Sequence, residues 1–403
     1  MQELIAGRLE GLCEPMKEMG SALEAFRNGA HRAADFSSLI LEEMKEMGFD
    51  DCMVDRFGNI VGCVNGFRHE QDMALIFSID YDNGTDGKGT DPAERACYTP
   101  GILTALYSAA VLKRTLLPLN GDLLVCGVPR SGCCGFGIKY LFEYYLRKRI
   151  RNLKGIILCE PTDLNLYLGH KGRMEYEIAV KLRLSDGFLA NKGINMLGTM
   201  FPLIHELETV SRSLPSNYAM GSSSLQIKDV HFCGTRPKDA QNEFKVVVDR
   251  TFIPEEQEES ILERAKMIAE SVYNGEKSVS VQTSVAREKI TLSAGTDIVS
   301  EKEFKPWTIE SSHPFVLKSL QALADNGFSP HLGFWKNTIT EGSYTFGELG
   351  IPTLGFGPGQ EPEPGHQMQQ VPFEAIKKAV YAQTMIIHRC IGVPTFGWTS
   401  DEI

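Results

Sequence analysis

The sequence predicts an α/β protein with a smaller α+β domain inserted into it. Over residues 72–159, short apolar runs alternate with helical segments, which is the order of a parallel sheet covered by helices. Over residues 173–287 the order becomes strand, helix, strand, strand, helix, strand, which is the ferredoxin-like order. After residue 287 the α/β pattern returns. One domain inserted between two halves of another is the simplest topology that fits.

The elements of the larger domain follow from hydrophobic periodicity. Residues 1–50 carry apolar side chains at helical spacing, and residues 51–66 predict a hairpin around Gly58. Three apolar runs then predict buried strands, and two segments between them predict helices. In chain order these five elements are Asp72–Asp80, Pro100–Arg114, Asp122–Val128, Phe136–Arg149 and Gly155–Cys159.

The inserted domain has strands of a different kind. Its apolar side chains alternate with polar ones, as in strands that are buried on one face. Its helices are expected over Gly193–Ser213 and Pro254–Tyr273, and two further helices near His313–Asp325 and Phe373–His388 follow it. We predict that residues 1–177 and 288–403 form the larger domain and that residues 178–287 form the inserted one.

Composition excludes several classes of protein. The 403 residues are 42% hydrophobic and 23% charged, which is typical of globular domains. No run of about 18 apolar residues predicts a membrane span, and the first twenty residues do not resemble a signal peptide. The net charge of −11 disfavours nucleic acid and anionic membranes as partners. Ten cysteines without an export signal predict reduced thiols and a cytoplasmic location.

Two long stretches carry a family resemblance. They are CEPTDLNLYLGHKGRMEYEI (Cys159–Ile178) and ELGIPTLGFGPGQEPEPGHQ (Glu348–Gln367). With the split layout, they resemble the dinuclear-zinc family of aminoacylases, acetylornithine deacetylases, succinyl-diaminopimelate desuccinylases and carboxypeptidase G, and within it the YgeY-type hydrolase branch. The resemblance implies a phosphorylase/hydrolase-like zinc-peptidase domain with a mixed sheet, and a ferredoxin-like lid and dimerisation domain. It also implies hydrolysis by a zinc-bound water whose proton a glutamate accepts.

The family's metal-binding and catalytic positions can be compared with this chain one at a time. Three positions keep the family's residue: Asp80 beside the first ligand, Glu160 as a ligand, and His366 as the C-terminal ligand. At five positions this chain lacks the family's residue. Ser78 replaces the histidine ligand, and the region of Thr99 lacks the bridging aspartate. Arg130 replaces the catalytic glutamate, Ser131 replaces the glutamate ligand, and Asp186 replaces the lid histidine.

These replacements predict that the dinuclear zinc centre is lost. A catalytic zinc takes about three protein ligands, and here each metal position would keep one. Serine is a poor zinc ligand, and arginine cannot act as a general base. We therefore expect no catalytic residues and no cofactor beyond one weakly bound divalent metal, such as zinc, at Asp80, Glu160 and His366. We expect Arg130 to pair with Glu160, Asp80 or both, because its planar group bonds carboxylates well.

The predicted function is a non-catalytic binding or regulatory subunit, a homodimer or a heteromer with an active paralogue. Two enzymatic alternatives stay open, so the sequence does not decide whether the chain is an enzyme. One is a hydrolase of amide, ureido or peptide bonds in small molecules with a rebuilt metal site. The other is a cysteine enzyme in which Arg130 holds a small-molecule carboxylate and Cys97, Cys134 or Cys159 reacts. Against the last, free cysteines are commonly small buried apolar residues. We expect His170 to be a packing residue or to support a site residue from behind, rather than to be a ligand.

Overall fold

The computed structural model describes residues 1–28, 33–68, 71–80, 98–130, 135–149, 152–182, 196–233, 242–273, 279–291, 297–363 and 370–393, with some side chains at segment ends, including those of Asp80 and Arg130, outside the description. The helices in these ranges are α1 (Gln2–Glu10), α2 (Cys13–Asn28), α3 (Ala33–Glu46), α4 (Tyr98–Thr115), α5 (Phe136–Tyr140, continued by a π-helical turn over Leu141–Leu146), α6 (Met196–Ser211), α7 (Glu258–Val272), α8 (Pro314–Ala324), α9 (Gly342–Thr345) and α10 (Phe373–Ile391). The strands are β1 (Asp51–Val54), β2 (Ile60–Val64), β3 (Asp72–Asp80), β4 (Leu123–Arg130), β5 (Leu153–Leu158), β6 (Leu166–His170), β7 (Gly172–Leu182), β8 (Ser216–Asn217), β9 (Gly221–Ser222), β10 (Ser224–Cys233), β11 (Asn242–Phe252), β12 (Val279–Val285), β13 (Arg287–Thr291), β14 (Asp297–Glu301), β15 (Glu303–Phe304), β16 (Trp307–Thr308), β17 (Leu332–Trp335) and β18 (Thr353–Gly355).

The chain forms two compact units. One comprises Met1–His170, Thr291–Ile298 and Trp307–Ile403, and the other comprises Lys171–Ile290 and Val299–Pro306. In the first unit, the described strands form a mixed sheet in the order β1-β2-β4-β3-β5-β18-β6-β16, with β17 also paired to β6. Within this order, β4 pairs with β3, β3 with β5, and β5 with β18, and all three pairs are parallel. The predicted α/β fold with a mixed sheet is therefore confirmed.

Strand β3 shows how the sheet separates two apolar cores. Met73, Leu75 and Phe77 pack into one core, together with the helices α1–α4 and α10. Ala74 and Ile76 pack into the other core, which also contains two buried tryptophans. Successive side chains of a strand point to opposite faces, so an apolar run such as MALIF can supply both cores.

In the second unit, β7, α6, β10, β11, α7 and β12 follow one another in the chain, with the small hairpin β8-β9 between α6 and β10. The sheet has the strand order β10-β11-β7-β12 with antiparallel pairing, and β15 also pairs with β7. The predicted ferredoxin-like domain is confirmed. Helices α6 and α7 cover one face of this sheet, where residues such as Leu203, Phe244 and Ala265 form the core. Strand β10 lies at an edge of the sheet.

No helix among the described residues is both long enough and apolar enough to span a bilayer.

Candidate functional site

The parallel pairing of β3 with β5 brings the first two site residues together. Ile76 lies opposite Leu158 in the register of these strands. Two residues further along each chain are Ser78 and Glu160, at the carboxyl ends of the strands. Side chains two residues apart share a face of the sheet, so both belong to the face of the core with the two tryptophans. Open α/β sheets commonly place their sites at this edge.

A hydroxyl group lies between two buried carboxylates at this point. Ser78 Oγ donates a hydrogen bond to Glu160 Oε1 at 2.6 Å, and it lies 3.3 Å from each carboxylate oxygen of Glu341. The exposed fractions of Ser78, Glu160 and Glu341 are 1%, 3% and 8%. Hydroxyl–carboxylate bonds of 2.5–2.7 Å are charge-assisted and strong, so the serine proton stabilises the negative charge of Glu160.

Glu341 was not predicted from the sequence. It precedes the short helix α9 and is 263 residues from Ser78 along the chain. His170 fixes the segment before it, because the backbone N–H of Thr340 donates to His170 Nε2 at 2.9 Å. The imidazole is itself held edge-on against Trp307, with ring centroids 5.7 Å apart. His170 is therefore a buried packing residue, as expected, and it positions the neighbour of a site residue.

Two glycines allow other elements to reach the backbone at Glu160. A Cβ atom on Gly101 would lie 2.0 Å from the carbonyl oxygen of Cys159, and one on Gly357 would lie 2.4 Å from that of Glu160. The first turn of α4 and the loop after β18 therefore touch the end of β5. Thr99, which stands in the region of the family's bridging aspartate, is half-buried in that first turn.

Cys159 lies on the opposite face of the sheet from Ser78. Its thiol belongs to the core that contains α4 and α10, where Gln383 Nε2 lies 3.3 Å from the sulfur. The pKa of this thiol is raised to about 12, chiefly by burial; the hydrogen bond from Gln383 lowers the pKa and the charge of Glu160 raises it. Since the thiolate is the reactive form, these features disfavour Cys159 as a nucleophile or a metal ligand.

The backbone pairing locates two more of the predicted residues. Asp80 lies opposite Arg130 in the register of β3 with β4, so the two occupy neighbouring positions at the end of the sheet. Their side chains are outside the description, and the predicted pairing of Arg130 with Asp80 or Glu160 stays a prediction. Five other predicted site residues lie outside the described residues, namely Cys97, Ser131, Cys134, Asp186 and His366.

Comparisons with known proteins agree with this fold. No protein-family model matches the chain. The protein YgeY of Escherichia coli K12 is 27% identical over 344 residues, which are 80% of this chain and 81% of YgeY. The metallohydrolase MJ1497 of Methanocaldococcus jannaschii is 32% identical over 119 residues, 29% of this chain and 34% of MJ1497. The structure of Bacillus subtilis YxeP, a dinuclear metal-binding peptidase from the M20 family, matches with a TM-score of 0.61 and 13% identity, over 92% of this chain and 98% of YxeP. The chain therefore resembles YgeY over most of its length and shares the fold of the M20-family peptidase YxeP.

MJ1497 is named as a metallohydrolase and YxeP as a dinuclear metal-binding peptidase, so the donors of this chain can be compared with what a zinc pair requires. Each zinc takes about three protein ligands, usually imidazole, thiolate or carboxylate. Around Glu160 the structure instead has a serine hydroxyl and a second glutamate. Among the side chains that the structure describes, no group of three or more His, Cys, Asp and Glu could hold a metal ion. These described donors do not by themselves make up a zinc pair, and the side chains of the predicted donors Asp80 and His366 lie outside the described part of the chain.

Proposed function

We propose that this metallohydrolase-family protein does not assemble the dinuclear zinc centre and acts as a binding or regulatory subunit. The observation that carries the proposal is the hydrogen bond from Ser78 to Glu160. In the family resemblance, Ser78 stands where a histidine would bind one metal and Glu160 is a retained ligand. Here the carboxylate of Glu160 accepts a hydrogen bond from the serine hydroxyl, which is a poor zinc ligand compared with imidazole.

The second glutamate supports the same proposal. Glu341 Oε1 and Oε2 are both 3.3 Å from Ser78 Oγ, which also donates a hydrogen bond to Glu160. A buried carboxylate that is not adequately paired costs substantial free energy. Ser78, Glu160 and Glu341 therefore form a hydrogen-bonded polar network. Arginine at position 130 would add repulsion between a fixed cation and bound metal ions.

A second candidate function is an active hydrolase of amide, ureido or peptide bonds with a rebuilt metal site. The convergence of Glu160 and Glu341 favours it, because paired carboxylates are ligands that hard divalent cations prefer. Asp80 and His366 would be the further ligands. This candidate requires one bound metal and hydrolysis that depends on it.

Elemental analysis of the full chain, purified without chelators, separates the two candidates. We expect well under one zinc, manganese or iron per chain, and no hydrolysis of N-acetyl amino acids or dipeptides after zinc or manganese is added. About two zinc ions per chain, the content of a two-metal site, would overturn the proposal. One metal per chain, with hydrolysis that Glu341→Gln abolishes, would establish the second candidate instead.

The substitution Arg130→Glu is a second test, which asks whether restoring the family's catalytic base restores hydrolysis. It restores the family's residue at the position of the catalytic base, but Ser78 and Ser131 still replace two ligands. We expect no zinc-dependent hydrolysis in this variant, measured with the same substrates. Recovery of activity by this one change would show that the rest of the metal site is intact.

A further inference from the structure

Three consecutive backbone amides after β17 surround one carboxylate. The N–H groups of Lys336, Asn337 and Thr338 donate to Glu361 Oε1 at 3.0, 2.8 and 2.7 Å. The amide of Lys336 also lies 3.0 Å from Glu361 Oε2. We call these three amides the amide nest. Successive N–H groups that point into one concavity are a recurring anion-binding arrangement.

The nest recognises a carboxylate through backbone atoms. Nothing in these four contacts depends on the remainder of the glutamate side chain, so a carboxylate on another molecule could make the same bonds. Lys336 and Asn337 are exposed, and Glu361 is half-buried, so the nest lies where a ligand can reach it.

We propose that the amide nest is a binding site for the carboxylate of a small-molecule ligand, and that Glu361 is an internal occupant that competes with this ligand. Capture of free carboxylates by backbone amides is a known recognition mode. The nest lies just before Thr340 and Glu341 in the chain, and His170 anchors Thr340. A ligand in the nest would thus be held by the segment that carries Glu341. The inference does not rest on the loss of the zinc centre.

The test titrates the isotope-labelled full chain with acetate and follows the amide resonances of the three nest residues by NMR. We compare the wild type with Glu361→Gln, which keeps the shape and an acceptor oxygen but removes the charge. Glu363→Gln, an exposed position two residues away, is the matched control. Charge-assisted hydrogen bonds are about twice as strong as neutral ones, so we expect at least about fivefold tighter acetate binding in Glu361→Gln.

Specificity is tested with acetamide and inorganic phosphate at matched ionic strength. Acetamide should leave the nest resonances unchanged, and the control variant should bind acetate as the wild type does. Equal acetate midpoints in the wild type and Glu361→Gln, or no shift of the nest amides in either, would overturn the proposal. Tighter binding of phosphate than of acetate would overturn the assignment to carboxylates. Zinc content measured on the same samples keeps this outcome separate from that of the proposed function.

Discussion

A single hydroxyl group, that of Ser78, lies between two buried carboxylates. One hydroxyl has one proton, and the short 2.6 Å distance assigns it to Glu160. The oxygens of Glu341 are then held by a weaker contact at 3.3 Å. At the scale of the residue, this donor therefore links Glu160 and Glu341 into a hydrogen-bonded acidic cluster.

The variant Ser78→Ala removes that donor. We expect a loss of about 1–3 kcal/mol in the free energy of unfolding, because the change removes a charge-assisted hydrogen bond to a buried carboxylate. Urea denaturation followed by circular dichroism measures it. The control is Ser319→Ala, since the Ser319 hydroxyl is also buried but bonds the carbonyl of Phe315 in its own helix. An equal effect of the two substitutions would show that the cluster does not need the serine proton.

Cys159 gives a second prediction at the scale of the residue. With a pKa of about 12, roughly one thiol in ten thousand is ionised at pH 8. We expect iodoacetamide to label Cys159 far more slowly than the half-buried Cys52 in the native protein, and equally fast in urea. Mass spectrometry of peptides measures both rates. Rapid reaction of Cys159 with iodoacetamide in the native protein would support the cysteine-enzyme alternative.

The same thiol makes stability depend on pH in a defined direction. An unfolded cysteine ionises near pH ~8.5, whereas folded Cys159 keeps its proton until about pH 12. Unfolding therefore releases a proton between these values. The stabilisation from this group is complete below the unfolded pKa and is lost as the pH rises towards the folded one.

At the scale of the element, helix α4 packs closely against the carboxyl end of β5, at the edge of the sheet where Ser78 and Glu160 lie. The contact requires glycine at position 101, because a Cβ atom would lie 2.0 Å from a backbone oxygen that a side-chain rotation cannot move. Helix α4 itself is buried over most of its length, with Leu106 and Tyr107 fully covered. Its start cannot shift without disturbing the core beneath it.

The substitution Gly101→Ala tests this contact. In an exposed helix the change would stabilise by about 0.5–1 kcal/mol, but here we expect a loss of about 1–3 kcal/mol from overpacking. Gly7→Ala in α1 is the matched control, because nothing lies within 4 Å of its Cβ position. Thermal unfolding of the two variants should shift in opposite directions. A stabilised Gly101→Ala variant would contradict the described packing.

At the scale of the whole molecule, the ferredoxin-like unit has an edge strand available for assembly. Strand β10 ends its sheet, and Phe232 on this strand is 49% exposed. Edge strands present unpaired N–H and C=O groups that can pair with another chain. We propose that two chains associate through this unit.

The variant Phe232→Lys tests the assembly. We expect the wild type to be a dimer at micromolar concentration and the variant to shift towards monomer, because a lysine on an edge strand opposes pairing. Light scattering coupled to size exclusion measures the mass. Phe67→Lys, a change of the same kind at a 79% exposed position in the other unit, is the control. A monomeric wild type would remove the basis of this prediction.

Local pattern predicted most of the elements. Strand β3 begins and ends at the predicted Asp72 and Asp80, because a long apolar run with polar ends is readable without knowledge of its neighbours. The segment after Gly135 differs in detail. The sequence predicts one helix over Phe136–Arg149, whereas α-helix ends at Tyr140 and a π-helical turn follows over Leu141–Leu146. Periodicity does not distinguish these two helical forms over one or two turns.

The sequence by itself determined the order of strands and helices, the ferredoxin-like insertion and the family resemblance, because each depends on residues that are close together in the chain. It also placed Ser78 and Glu160 at one sheet edge, since parallel strands end there. Tertiary structure alone decided that Glu341 joins them, that Cys159 faces the other way, and that Glu361 fills the amide nest. These are contacts between distant segments and between backbone and side chain. Their geometry is set by packing of the whole unit, which no local pattern encodes.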